Sequence, residues 1–128
     1  MSDDISWSPG IAGVTDAIGG DRILVADGRV ALGACTGAVC SRNPRTAIGL
    51  TADGRVRIVV VDGRQGSSSG MSVMELAQFM ANRLGAEVAM NLDGGGSSTM
   101  AVRGAPANHP GDGFERAVSS AVLVFPGG

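Results

Sequence analysis

In the segment Asn91-Leu92-Asp93-Gly94-Gly95-Gly96-Ser97-Ser98, a carboxylate stands at the mouth of three successive glycines. Glycines leave their backbone N–H groups uncovered, which suits close approach by an oxyanion or a sugar hydroxyl. The same letters also spell a plain flexible turn. The apolar run that leads into the glycines, and the return to apolar residues over Thr99 to Val102, place them inside a folded domain. Period-two alternation before them puts Asn91 and Asp93 on one face at a strand end. Asn91, Asp93, Gly94, Gly95, Gly96, Ser97 and Ser98 are therefore candidate site residues.

A second constellation is the pair Arg45 and Arg64. Arg45 follows Asn43-Pro44 at the start of one apolar run, and Arg64 follows Asp62-Gly63 at the end of the next. If the two runs form a hairpin, the start of one strand lies beside the end of the other, and two guanidinium forks suit a planar or tetrahedral anion. Arg22, Arg29, Arg55, Arg57 and Arg83 read as solvated surface. Gly66-Ser67-Ser68-Ser69-Gly70 fits the nucleophile-elbow pattern, with Asp93 and His109 following in the chain order of an α/β-hydrolase triad. Against that reading, several residues separate Ser68 from both the strand before and the helix after. The single histidine, His109, reads as an exposed loop residue.

Cys35 and Cys40 are the only cysteines, and a zinc site would need further Cys or His ligands at short spacing. A pair of thiols and a short-loop disulfide in an exported protein both remain open.

The elements that must position these residues can be read from periodicity. Asp27-Gly28 and Asp53-Gly54 each sit between β-branched runs and predict hairpins. Val56 to Val61 is apolar on both faces and reads as a central strand. Ser72 with Glu75 forms a capping box, Met71 and Leu76 can staple it, and Val73, Leu76, Ala77, Met80 and Leu84 share one helical face. A helix is expected over about 72–84, stopped by Gly85. Strands at 46–51, 55–61, 86–92 and 117–125 around that helix give an α+β fold, a mixed and largely antiparallel sheet packed against one main helix. Ile11 to Ile18 is a candidate short helix.

Composition bounds the chemistry. The chain has 128 residues, enough for a single domain with its own core. All ten basic residues are arginine, which excludes Schiff-base and Walker-type lysine chemistry. Three Phe, one Trp, no Tyr and a net charge of −2 argue against nucleic acid as a partner. No apolar stretch is long enough to span a membrane. Met1 to Ser8 is acidic and lacks the apolar core of a secretory signal.

The ordered set Asn43-Pro44-Arg45-Thr46-Ala47-Ile48-Gly49, Val61-Asp62-Gly63-Arg64-Gln65, Ser69-Gly70-Met71-Ser72 and Asn91 to Met100 resembles the phosphodiester glycosidase family. Ala17-Ile18-Gly19-Gly20, Asn108 and the closing strand fit the same pattern, so the resemblance covers about residues 16–125 of one domain. It implies cleavage of the bond between a sugar's anomeric carbon and the oxygen of a phosphodiester, with a small sugar phosphodiester or a cell-wall or glycan phosphodiester as partner. Arg45 and Arg64 would hold the phosphate. Asp93 would act at the anomeric centre with Asp62 as the second carboxylate, and Asn91, Gly94 to Ser98 and Asn108 would contact the sugar. No cofactor is required, although Asp62, Asp93 and Asp112 could offer oxygen ligands to Ca²⁺. Members of this family usually carry an earlier Asn-Gly-Gly-Phe-Phe-like segment, absent here, so the chain reads as a C-terminal portion whose site an oligomer could complete. The family implies an extracellular, periplasmic or secretory location. The alternatives are a non-catalytic sugar-phosphate binding remnant and a serine hydrolase using Ser68.

Overall fold

The computed structural model describes residue 13 and residues 15–127. Its centre is a five-stranded sheet in the order β2-β1-β5-β3-β4, every ladder antiparallel. The strands are β1 (Arg22–Ala26), β2 (Arg29–Val30), β3 (Arg45–Thr51), β4 (Val56–Val61) and β5 (Ala86–Asn91). One helix, α1 (Val73–Asn82), lies between β4 and β5 in the chain. The α+β architecture is thus the one the periodicity predicts.

Local chemistry accounts for the joints. Asp27 and Gly28 both take left-handed φ values, 50° and 68°, as the two-residue turn joining β1 and β2 requires. Between β3 and β4, Gly54 donates to Thr51 O at 2.9 Å and sits at φ 80°, which closes a longer turn. Ser72 caps α1 by accepting from Glu75 N, while the Glu75 carboxylate accepts from Ser72 N at 2.8 Å. The helix ends at Asn82, short of the expected Leu84, with Arg83 as its C-cap.

Packing follows the alternation. In β3, Arg45, Ala47, Gly49 and Thr51 are buried, while Thr46, Ile48 and Leu50 are half-buried. Leu24, Val25, Ala47, Val73, Leu76, Ala77, Met80, Ala86 and Ala89 form the core between the sheet and α1. Gly49 is needed there because a Cβ would come within 2.8 Å of the Met80 methyl.

Three sequence expectations change. Val56 to Val61 is an edge strand rather than a central one, since β4 pairs only with β3 and β5 takes the other side of β3. Its two apolar faces arise because Val59 and Val61 pack toward the core while Val56 is 57% exposed. Residues 117–125 form no strand, and Val118, Val122, Leu123, Val124 and Phe125 are exposed. Strand propensity is realised only where the chain is brought beside an open strand edge, and this segment pairs with neither free edge of the sheet, β2 nor β4. The third concerns Ile11 to Ile18: Ile11, Ala12 and Val14 lie outside the described residues, and Thr15 to Ile18 are not helical. The sequence reading also misses a small hairpin, β6 (Ala101–Val102) with β7 (Ala105–Pro106), whose turn residues Arg103 and Gly104 both have positive φ.

Candidate active site

Antiparallel order decides where the site lies. The starts of β1 and β3 and the ends of β4 and β5 meet at one end of the sheet, which gathers Arg22, Arg45, Asp62 to Arg64 and Asn91 to Asp93. The glycine run folds back over this end as a short 3-10 turn, Gly95–Ser97, with Gly95 N donating to Pro44 O at 3.0 Å.

Arg45 is not solvated there. It is only 6% exposed, and its Nε and Nη2 donate to Met71 O at 3.0 Å, Val39 O at 2.6 Å and Ser41 O at 2.7 Å. Burial lowers its pKa, the Asp21 charge opposes that, and the Arg22 and Arg64 charges add to it. Arg64, by contrast, is half exposed and held in the left-handed region at φ 58°, a strained conformation for a non-glycine residue. Its Nε and Nη2 donate to Asn43 Oδ1 at 3.3 and 3.2 Å, and its guanidinium lies against Gly95.

A residue the sequence reading overlooks completes this corner. Arg116 donates from Nη2 to Ser97 Oγ at 2.8 Å, and its Nη1 lies 3.6 Å from Asp112 Oδ2. Arg64 Nη1 lies 3.7 Å from the other oxygen of the same carboxylate. Gly96 leaves room beneath it, because a Cβ there would overlap the Asp112 carboxylate and displace it. The one available signal was the spacing Asp112 to Arg116, which is too common to single out.

The two candidate catalytic carboxylates have different surroundings. Asp62 Oδ1 accepts from Asn108 Nδ2 at 3.0 Å and His109 N at 2.9 Å, and Oδ2 lies 3.3 Å from His109 Nδ1. Burial works to raise its pKa, but the hydrogen bonds from Asn108 and from both His109 nitrogens outweigh it and hold the carboxyl below its usual value. A depressed folded pKa stabilises the fold above the ordinary carboxylate pKa of about 3.9, and that contribution is lost as pH falls toward the folded value. Thermal melts between pH 2.5 and 6 should therefore show a steeper acid loss for the wild-type chain than for Asp62→Asn. Asp93 is exposed, and its one protein hydrogen bond among the described residues is Oδ1 accepting from Gly94 N at 2.9 Å. Its second oxygen faces solvent unpartnered by any described residue.

The remaining candidates divide similarly. Asn91 is 3% exposed, and its Nδ2 donates to Asp21 Oδ1 at 2.6 Å and to Leu92 O. Ser98 is fully buried and accepts from Thr46 Oγ1 at 3.1 Å. Asn108 ties the loop together, donating to Asp62 and to Ser98 O while accepting from Met100 N at 2.7 Å. Arg64, Asn108, His109 and Asp112 with their neighbours line a cleft of about 440 Å³. Asp62, Asp93 and Asp112 do not converge into a metal-ligating group among the described residues.

The serine-hydrolase triad does not assemble. Ser68 Oγ donates to Asp62 O at 2.7 Å and accepts from Gly70 N, so it shapes its own loop. His109 faces Asp62, and Asp93 contacts neither His109 nor Ser68 by any hydrogen bond. Cys35 and Cys40 are joined in a disulfide with Cα atoms 5.7 Å apart rather than standing as two free thiols.

Comparison with known proteins identifies the fold around this corner. The phosphodiester glycosidase family matches residues 3–125. The chain belongs to the phosphodiester glycosidase family. It is 41% identical over 83 residues, 65% of its length, to the SPbeta prophage-derived uncharacterized protein YomE of Bacillus subtilis. Over 68 residues, 53% of the chain, it is 38% identical to bovine N-acetylglucosamine-1-phosphodiester alpha-N-acetylglucosaminidase. The chain spans 13% and 12% of the lengths of these two relatives. The catalytic domain of the zebrafish N-acetylglucosamine-1-phosphodiester alpha-N-acetylglucosaminidase superposes with a TM-score of 0.61 at 27% identity, covering 73% of this chain and 34% of that one. Among the described residues, no helix of this phosphodiester glycosidase family member is long and apolar enough to cross a membrane.

Proposed function

We propose that this sheet end hydrolyses the C1–O bond of a sugar-1-phosphodiester, whether a small molecule or part of a glycan or cell-wall polymer, releasing the sugar and a phosphomonoester. The observation that carries the reading is the convergence of Arg64 and Arg116 on one anion position, the Asp112 carboxylate, against Gly95 and Gly96. Asp93 lies only two residues before Gly95, with one carboxylate oxygen unpartnered by any described residue.

In this reading a phosphate takes the place of the Asp112 carboxylate between the two guanidinium groups. The departing phosphomonoester has a second pKa of about 6, so it leaves as an anion that fixed positive charge stabilises, with no proton needed from a general acid. The C1–O bond breaks with its electron pair on the phosphate oxygen, and a water oxygen ends on C1. Asp93 faces the cationic anomeric centre. Gly94 to Gly96 and Ser97 line the sugar side. Arg45, Asn91, Ser98, Asp62 and Asn108 serve as anchors, because each is buried or already committed to main-chain or loop contacts.

Each charge-assisted contact to phosphate is worth about 1.5–3 kcal/mol. Arg64→Ala and Arg116→Ala should therefore each raise KM for a methyl N-acetylglucosamine 1-phosphodiester by roughly ten- to a hundredfold. Steady-state kinetics of the two variants provide the check. Unchanged KM in both would remove the phosphate site from this corner, and tight phosphate binding without turnover would turn the reading toward a sugar-phosphate binding module.

A further inference from the structure

The Arg64 guanidinium is half exposed, and among the described residues its single hydrogen-bond acceptor is Asn43 Oδ1. Its other partner, the Asp112 carboxylate 3.7 Å from Nη1, occupies the position the phosphate would take, so with phosphate bound its orientation depends on how firmly the Asn43 amide is held. Asn43 Nδ2 donates to Ala38 O at 3.2 Å and to Ser41 O and Oγ at 3.3 Å. These acceptors belong to or border the 3-10 turn Ala38–Cys40, which has no buried residue. A three-residue 3-10 turn has little stability of its own, and the hydrophobic core does not fix this one. Two ties hold it: the buried Arg45, whose Nη2 donates to Val39 O and Ser41 O, and the Cys35–Cys40 disulfide, which closes its N-terminal side and is flanked by exposed residues and so open to a reductant.

We propose that Asn43 is the positioning residue for Arg64 and that the Cys35–Cys40 disulfide sets Asn43, so that the anion affinity of the site depends on the redox state of this pair. The inference rests on the reading of Arg64 as a phosphate ligand. Reduction by a phosphine supplies two electrons: the S–S bond breaks to two thiols, and the phosphorus takes the oxygen of a water as phosphine oxide. Arg45 then holds Val39 and Ser41 alone, the Cys35 side of the turn loosens, the Asn43 amide loses its Ala38 O acceptor, and Arg64 is held less firmly against Gly95.

The test uses the full chain with two readouts, water exchange of the Arg64 Nε–H by ¹⁵N NMR and the Kd for inorganic phosphate. Reduction, and separately the Cys35→Ser/Cys40→Ser double variant, should speed exchange by on the order of tenfold and weaken Kd by on the order of fivefold. Asn43→Ala should do the same in the oxidised protein, and adding reduction to it should change neither value further, as expected for coupled groups. Arg64 exchange unmoved by reduction, or effects of reduction and Asn43→Ala that simply multiply, would overturn the proposal. Absence of phosphate binding by the oxidised wild-type chain would instead sink the functional reading, with exchange still deciding this one. If reduction unfolds the chain, seen as lost protection of the β5 amides, unchanged Arg64 exchange in oxidised Asn43→Ala overturns the proposal.

Discussion

Asp93→Asn is expected to lower kcat on a sugar-1-phosphodiester by about a thousandfold, corresponding to about 4 kcal/mol of lost transition-state stabilisation. The substitution is nearly isosteric. An amide oxygen can still accept from Gly94 N, so the start of the glycine run keeps its geometry. What disappears is the negative charge beside the anomeric carbon, where positive charge develops as C1–O breaks. Asp93 is exposed and makes no other protein hydrogen bond among the described residues, so melting temperature should stay within a few degrees of wild type. Initial rates together with a thermal melt separate the two effects. Asp62→Asn should give the opposite pattern, a loss of loop anchoring first, because both Asp62 oxygens hold residues 108 and 109.

The second large effect concerns stability. Arg45→Met is expected to destabilise the fold by about 3 kcal/mol, measured by urea unfolding, because it strips the charged partner from three main-chain carbonyls. Those carbonyls come from two segments, Val39 with Ser41 and Met71, so the guanidinium stitches the disulfide-closed turn to the start of α1. Arg64→Met should change stability by less than about 0.5 kcal/mol, since Arg64 is half exposed and its contacts are screened by water. The contrast is sharp because the two arginines look equivalent in the sequence. Each follows a turn residue at a strand end, and hairpin geometry brings their backbones near one another. Only tertiary structure decides that one is walled in by carbonyls from distant segments.

That difference shows where sequence reasoning succeeds. The capping box at Ser72 and Glu75, the Asp27-Gly28 turn and the alternation in β3 are local, and each is realised because the deciding forces act within a few residues. The location of the Asp93 glycine run at a strand end was legible for the same reason. The edge position of β4 was not, because apolar residues on both faces of a strand report its burial demand and say nothing of which neighbour meets it. Residues 117–125 fail likewise: their β-branched pattern is real, but it says nothing of whether the chain is brought beside an open edge, and in the fold they pair with none. Arg116 was missed, and Asp112 was read only as a candidate Ca²⁺ ligand, since their pairing with Arg64 and Gly96 arises across the fold.

Hydrolysis of a methyl N-acetylglucosamine 1-phosphodiester in ¹⁸O-enriched water tests the central claim most directly. The account predicts turnover in which the ¹⁸O is found at C1 of the released sugar, with none in methyl phosphate, as bond cleavage between C1 and oxygen demands. Label in the phosphate would mean attack at phosphorus, and no turnover by the chain would mean that this sheet end is not a catalytic site; either result contradicts the account.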